Sequence, residues 1–428
     1  MKYGLLVVKD TENIGDDIQA YAAMQFLPHV DYYIDREHLD TFVSENLETV
    51  KMIMNGWFIK NKWNWPPAPV IDPLLISMHF QREDLLGINE TFLQEVGGMY
   101  FSDHAIVGCR DTETQNFLQE NKIDAYFSGC LTLTLQDKFD RKVDKPYCCI
   151  TNCGDEIANY VKEKRPDLDI KIISQEPAVD KSASWDQRFH EVEILLQTYQ
   201  NAEFVVTTRL HCAMPCLALK TSVLFLNDET IIENDRFAGL SDLLYCESPK
   251  NFLEGSKIYD IANPPINKKN YLFLRNALIE KCKQFVTEEK NSFEKEWLLK
   301  KYEENAKWKE ELLIQVQKNI YKQYNDLYDG KKWIEEQWEI QKARISELEK
   351  WCQELENGKK WVEEQWQNQK LQVNELEQCK NNFQNQVEEE KEKVTTLKEE
   401  IELLKTDLEF LKKSKFVSWL IKKNKLSL

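Results

Sequence analysis

The stretch "EFVVTTRLHCAMPCLALKTSVLFL" (residues 203–226) decides the fold class. "EFVVT" (203–207) is rich in β-branched and aromatic residues, and "SVLFL" (222–226) is a second short apolar run. Between them lies room for one short helix. A strand, a helix and a strand in this order make a parallel unit. Arg209 and His211 fall at the turn from strand to helix, where Thr207 or Thr208 is placed to cap. A cation there opposes the helix dipole, and an anion bound at the free N–H groups would offset that penalty. An arginine paired with an acid of another domain, beside a packed histidine, fits the same residues. The stretch alone leaves both readings open.

Outward from this unit the pattern repeats. Strands are expected at "YGLLVV" (3–8), "VKMIMNGWF" (50–58), "HAIVG" (104–108), "DAYFSG" (124–129), "YCCIT" (147–151) and "DIKIIS" (169–174). Helices are expected over 17–27, from about Thr112, up to about Lys164, and over 185–200. "NWPPAP" (64–69) holds too many prolines for a regular element. "QDKFDRKVDKP" (136–146) is polar and reads as a linker. The chain therefore predicts an α/β fold of two Rossmann-like domains, 1–140 and 141–285, the second with closing helices. Ligands of such sheets bind beyond the carboxyl ends of the strands.

Beyond residue 285 proline disappears, and Glu, Lys, Gln and Trp dominate. "GKKWIEEQW" at Gly330 returns as "GKKWVEEQW" at Gly358, an offset of 28 residues or four heptads. One heptad register runs from 334 to 411. Its a positions are Trp338, Ile345, Cys352, Lys359, Trp366, Val373, Lys380, Val387, Val394, Ile401 and Leu408. Its d positions include Ile334, Gln341, Leu348, Leu355, Val362, Gln369, Leu376, Phe383, Glu390, Leu397, Leu404 and Leu411. This predicts a long coiled-coil extension over 286–411, whose register from 334 to 411 would extend ~120 Å as a single helix, and a homo-oligomer, because one helix alone cannot bury its seam.

The net charge of −17 argues against nucleic acid as a partner. The N-terminus predicts no secretory leader, and no run is long enough to span a bilayer, so a cytoplasmic location is expected. The tail "KKSKFVSWLIKKNKLSL" (412–428) has an apolar face edged by lysines and suits the anionic inner face of the plasma membrane as a peripheral anchor. Cys148, Cys149, Cys212 and Cys216 lie in apolar runs and read as reduced, buried thiols. The spacings 149/153 and 212/216 lack the paired C-x2-C pattern of zinc, so no metal is expected.

Three strand-end loops carry polar groups. "KDTENIGDD" (9–17) presents Asn13, Gly15, Asp16 and Asp17; "GCRD" (108–111) presents Arg110 ahead of a Thr112-x-x-Gln115 capping pattern; "TRLH" (208–211) presents Arg209 and His211. A single glycine in the first loop is too few for a dinucleotide fingerprint, and no Lys-Ser/Thr follows as in a P-loop. Two arginines and a histidine facing one cleft suit a small anion of two charges.

In these motifs the chain resembles the polysaccharide pyruvyl transferases. The resemblance rests on Asn13-Ile14-Gly15-Asp16-Asp17, Gly108-Cys109-Arg110-Asp111 and Thr208-Arg209-Leu210-His211. "NDRFAGLSDLL" (234–244) and "NGWF" (55–58) followed by "WPP" (65–67) also fit, and the likeness covers about 1–280. It implies a GT-B-like pair of Rossmann domains, phosphoenolpyruvate as donor substrate with no further cofactor, and a sugar acceptor of a bacterial cell-envelope or capsular polysaccharide, on a lipid carrier or polymer. The product implied is a pyruvate ketal, with phosphate released. It further implies that Asn13, Arg110, Arg209, Leu210 and His211 belong to the site, with Gly15 beside the donor. Cys212 stands where the family usually has glycine, which predicts a narrower approach to the phosphate. His211 suits the acid–base role, with Asp16 in reserve. The competing expectations are a GT-B glycosyltransferase using a nucleotide sugar, and a non-catalytic glycan-binding scaffold organised by the coiled coil.

Overall fold

The first apolar run forms β1 (Lys2–Val7), whose residues from Tyr3 onward are all buried. A strand buried on both faces belongs inside a parallel sheet. In the computed structural model, which describes residues 1–59, 64–82, 89–104, 106–139, 143–227, 237–289, 293–356 and 360–413, β1 pairs in parallel with β2 (Tyr32–Asp35) on one side and β3 (Val50–Phe58) on the other. β4 (Ile71–Phe80), β5 (Val107–Cys109) and β6 (Ala125–Phe127) complete a six-stranded sheet of order β2-β1-β3-β4-β5-β6. Helices α1 (Ile14–Met24), α2 (Glu95–Asp103) and α3 (Thr112–Glu120) connect its strands.

A second parallel sheet has the order β11-β10-β9-β7-β8. It comprises β7 (Tyr147–Thr151), β8 (Asp169–Ile173), β9 (Phe204–Thr207), β10 (Ser222–Leu226) and β11 (Tyr245–Glu247). Its helices are α4 (Gly154–Lys164), α5 (Trp185–Gln200), α6 (Leu210–Ala218) and α7 (Pro249–Leu253). The strand order reverses between β1 and β3 in the first sheet and between β7 and β9 in the second. Both reversals open a crevice at the carboxyl ends of the strands.

Contacts divide the chain into Met1–Asn305 and Ala306–Leu428, so both sheets share one compact unit. One apolar core runs from Leu5 and Ile18 of the first half through Val205 and Cys216 of the second. After β11 the chain turns back as α8 (Tyr271–Thr287). Lys51 of β3, fully buried, donates from Nζ to the carbonyls of Phe285 and Glu288, placing an ammonium at the negative end of α8. Arg188 of α5 makes a bidentate pair with Asp17 of α1 at 2.9 and 2.6 Å, and also donates to the carbonyls of Val8 and Lys9.

Several expectations change. α1 starts at Ile14 rather than at residue 17, because the Asn13 side chain accepts from Gly15 N and caps the helix there. α3 is capped by Asp111, which accepts from Thr114 N, and not by a box on Thr112 and Gln115. The strand expected at 104–108 forms at Val107–Cys109. β2, β4 and β11 add three strands to those expected.

The largest correction concerns the extension. The expected single helix is two, α9 (Lys295–Glu356) and α10 (Lys360–Lys413). Lys380 Nζ sits 5.6 Å from the Trp338 ring, while Lys391 interacts with Glu335 and Lys405 lies near Tyr321. As the number rises on one helix it falls on the other, so the two run antiparallel, side by side. Ile345, Leu397, Ile401 and Leu404 are buried, and Ile334, Trp338, Phe383, Val387 and Val394 are half-buried. Lys359 lies outside the described residues. So do the side chains of Leu348, Cys352, Leu355, Val362, Trp366, Gln369, Val373, Leu376, Leu408 and Leu411, and the tail beyond residue 413.

Candidate active site

Several of the segments that follow strands of the two sheets contribute to one cavity of about 410 Å³. The β1–α1 loop supplies Asp10, Thr11, Glu12 and Asn13, with Asp16 and Gln19 from the first turns of α1. Trp57 comes from the end of β3, Arg36 from just after β2 and Arg110 from just after β5. The second half supplies Gln175, Glu176 and Lys181 after β8, and Thr208, Arg209, Leu210 and His211 after β9, with Phe237 beside them. Asn13, Asp16, Arg110, Arg209, Leu210 and His211, read from three separate segments, thus meet around one space.

Gly15 does not line it. A Cβ on Gly15 would stand 2.9 Å from Asn13 Oδ1 and 3.0 Å from His211 Nδ1, so glycine here lets the starts of α1 and α6 approach each other. Gln175 ties the same two helix starts. Its carbonyl accepts from Ile14 N at 3.0 Å, and its Nε2 donates to the His211 carbonyl at 3.3 Å. That carbonyl is available because Pro215, one turn on, has no N–H to bond it.

Asp16 is held as an acceptor. Thr11 Oγ1 donates to Oδ2 at 2.7 Å, Gln19 Nε2 donates to Oδ1 at 3.4 Å, and Arg36 NH1 lies 3.7 Å from Oδ1. Arg36 is buried and also grips Glu37 at 2.7 Å.

The two arginines differ. Arg209 is the N-cap of α6, its N–H bonded to Thr207 Oγ1 at 2.9 Å, so neither Thr207 nor Thr208 occupies the cap position. Its guanidinium pairs with Glu176 at 3.3 Å, within its own half of the unit. Both partners are partly exposed, and such a pair is worth ~0–1 kcal/mol, so an anionic ligand exchanges readily for Glu176. Arg110 is only 3% exposed, and its Nε has no hydrogen-bond partner among the described residues. Its one ion pair there is with Asp111 Oδ2 at 3.6 Å. Burial pushes the Asp111 carboxyl up, but His79, Arg110 and Thr114 together bring it below the ordinary carboxylate range.

Cys212 is fully buried and does not reach the cavity, so the narrowing expected from it does not occur. Its thiol sits among Cys216, Thr207, Tyr199 and Thr151 behind α6. Every cysteine described is a free thiol, and among the described residues no cluster of His, Cys, Asp or Glu is arranged to hold a metal. No described helix is long and apolar enough to cross a membrane.

Arg36, Trp57, Gln175 and Lys181 escaped the sequence reading. The cavity wall carries four cations (Arg36, Arg110, Lys181, Arg209) and four carboxylates (Asp10, Glu12, Asp16, Glu176). This arrangement offers guanidinium forks to an anion and carboxylate acceptors to hydroxyl groups.

Among curated proteins none matches the chain. A solved structure described as an S. aureus MnaA–UDP co-structure is similar over 69% of this chain and 100% of that one, at 12% identity and a TM-score of 0.38. Residues 88–229, which include Arg110, Arg209 and His211, match the family model described as polysaccharide pyruvyl transferase, a match that supports a transferase.

Proposed function

We propose that the cavity takes phosphoenolpyruvate and a sugar of a cell-envelope or capsular polysaccharide, and that the chain transfers the pyruvyl group as a cyclic ketal. The convergence of Asn13, Asp16, Arg110, Arg209 and His211 on one space carries this reading. Arg110 and Arg209 hold the phosphate and carboxylate of the donor. His211, as general acid, protonates the methylene carbon of the enol, and positive charge develops at C2. A sugar hydroxyl attacks C2 and gives its proton to a base, a role we assign to the Asp16 carboxylate on the cavity wall. The C2–O bond to phosphate breaks and phosphate leaves. A second hydroxyl then closes on C2, and its proton is carried away by the departing phosphate or by solvent. Helix starts and arginines stabilise the changing charge. Asp10, Glu12, Asp16 and Glu176 favour a neutral, hydroxyl-rich acceptor over a charged one.

On this reading the two sheets form a GT-B-like pair of Rossmann domains, 1–140 and 141–285, and the extension is a coiled coil that joins copies of the chain. The enzyme works in the cytoplasm, and the basic tail holds it to the anionic inner face of the membrane where lipid-linked acceptors are presented. Incubation with phosphoenolpyruvate and envelope glycan precursors should release phosphate, and Arg209→Ala should abolish the release. Turnover with nucleotide sugars and none with phosphoenolpyruvate would replace this reading with glycosyl transfer.

A further inference from the structure

His79 lies one residue before the end of β4, where it pairs in register with Trp57 of β3. Its ring meets the Trp57 ring edge-on at 5.0 Å, and it is nearly fully buried. From this position Nδ1 reaches Asp111 Oδ2 at 2.7 Å and Thr114 Oγ1 at 3.0 Å. Asp111 is fully buried too, and its oxygens have separate tasks. Oδ1 accepts from Thr114 N at 2.8 Å and caps α3. Oδ2 is shared between His79 Nδ1 and Arg110 Nε, the latter at 3.6 Å.

We propose that His79 is a positioning residue for Arg110: by donating from Nδ1–H to Asp111 Oδ2 it keeps that oxygen from closing on the guanidinium, which stays turned to the cavity. The distances carry the argument. A carboxylate with no other donor would draw the guanidinium into a full hydrogen bond, and Nε, which has no hydrogen-bond partner among the described residues, would supply it. With His79 donating, Oδ2 is already satisfied and Arg110 remains at 3.6 Å. Its charge is then left for a ligand. The role assigned to that ligand rests on the function proposed above, whereas the aim of Arg110 does not.

Two variants separate positioning from packing. His79→Asn is smaller but places an amide N–H near the position of Nδ1. His79→Leu keeps bulk and loses the donor. If the residue merely fills space, Leu should outperform Asn. If it positions Arg110, Asn should outperform Leu. In the full chain, mass-spectrometric mapping of phenylglyoxal modification should show Arg110 reacting several-fold more slowly in His79→Leu than in the parent, with His79→Asn close to the parent. The KM for phosphoenolpyruvate should rise about tenfold in His79→Leu while the acceptor KM stays put. Equal Arg110 modification in parent and His79→Leu, or a better-preserved Arg110 in Leu than in Asn, overturns the proposal. A parent that releases no phosphate from phosphoenolpyruvate refutes the donor assignment instead, and the modification rates still decide the role of His79.

Discussion

Arg209 and His211 lie two residues apart at one helix start, and their chemistry predicts separable failures. Arg209→Lys keeps a charge but loses the planar fork, so phosphoenolpyruvate should bind ~10-fold or more weakly, with a large drop in rate. His211→Asn should leave donor binding nearly intact and lower turnover by ~10²–10⁴. Calorimetry with phosphoenolpyruvate beside a phosphate-release assay reads both, and parent-like behaviour in both variants would make the pair structural. Gly15→Ala tests the approach of the two helix starts. Its Cβ would lie 3.0 Å from His211 Nδ1, so the ring must shift. Overpacking of this kind costs ~1–3 kcal/mol. Turnover should fall while phosphoenolpyruvate binding through the arginines survives. A fully active Gly15→Ala would show that the spacing is not needed.

At the scale of elements, α1 and α5 meet through Asp17 and Arg188, which are 1% and 3% exposed. Removing one partner of a buried pair strands the other charge, and Arg188→Ala should cost ~3–5 kcal/mol in urea unfolding. The loss should shrink toward acid pH. Burial already pushes the Asp17 carboxyl up against the pull of Arg188, and without the arginine it rises further. The folded variant then binds a proton more tightly than the unfolded chain and regains stability as the pH falls through that raised value. An equal penalty at pH 4 and pH 7 would contradict this. The same elements show what the sequence made legible. β3, β7 and α5 form over the residues expected, because apolar runs mark the two strands and the Ser184 cap marks the start of the helix. β4 was hidden by Pro73, which a central strand does not usually tolerate. It stands here as the third residue of β4, in register with Met52 of β3, in a stretch where β5 does not pair with β4, since those two strands pair only at Met78. The strand-end polar residues were readable from position alone. Arg36 and His79 were not, since Arg36 follows a strand that was itself unseen and His79 lies inside one.

At the scale of the whole molecule, the premise for self-association has changed. A single helix would have needed a second chain to bury its seam, whereas α9 and α10 lie side by side and Ile345, Leu397, Ile401 and Leu404 of that seam are buried within one chain. Ile314, Tyr321 and Tyr328 remain exposed at intervals of seven residues along α9, and Trp333 and Ile340 repeat that interval further on. Residues seven apart share one helix face, so the paired helices still present apolar stripes to solvent. We predict that a second copy covers them, most simply by two helix pairs packing as a four-helix bundle. Light scattering should then give about twice the 50.7 kDa of one chain. Tyr321→Lys with Tyr328→Lys should return it to a monomer whose α/β unit, if the site is complete within one chain, keeps its phosphate-release activity. A monomeric parent at micromolar concentration would mean that the internal pairing suffices and that the exposed stripes serve another partner.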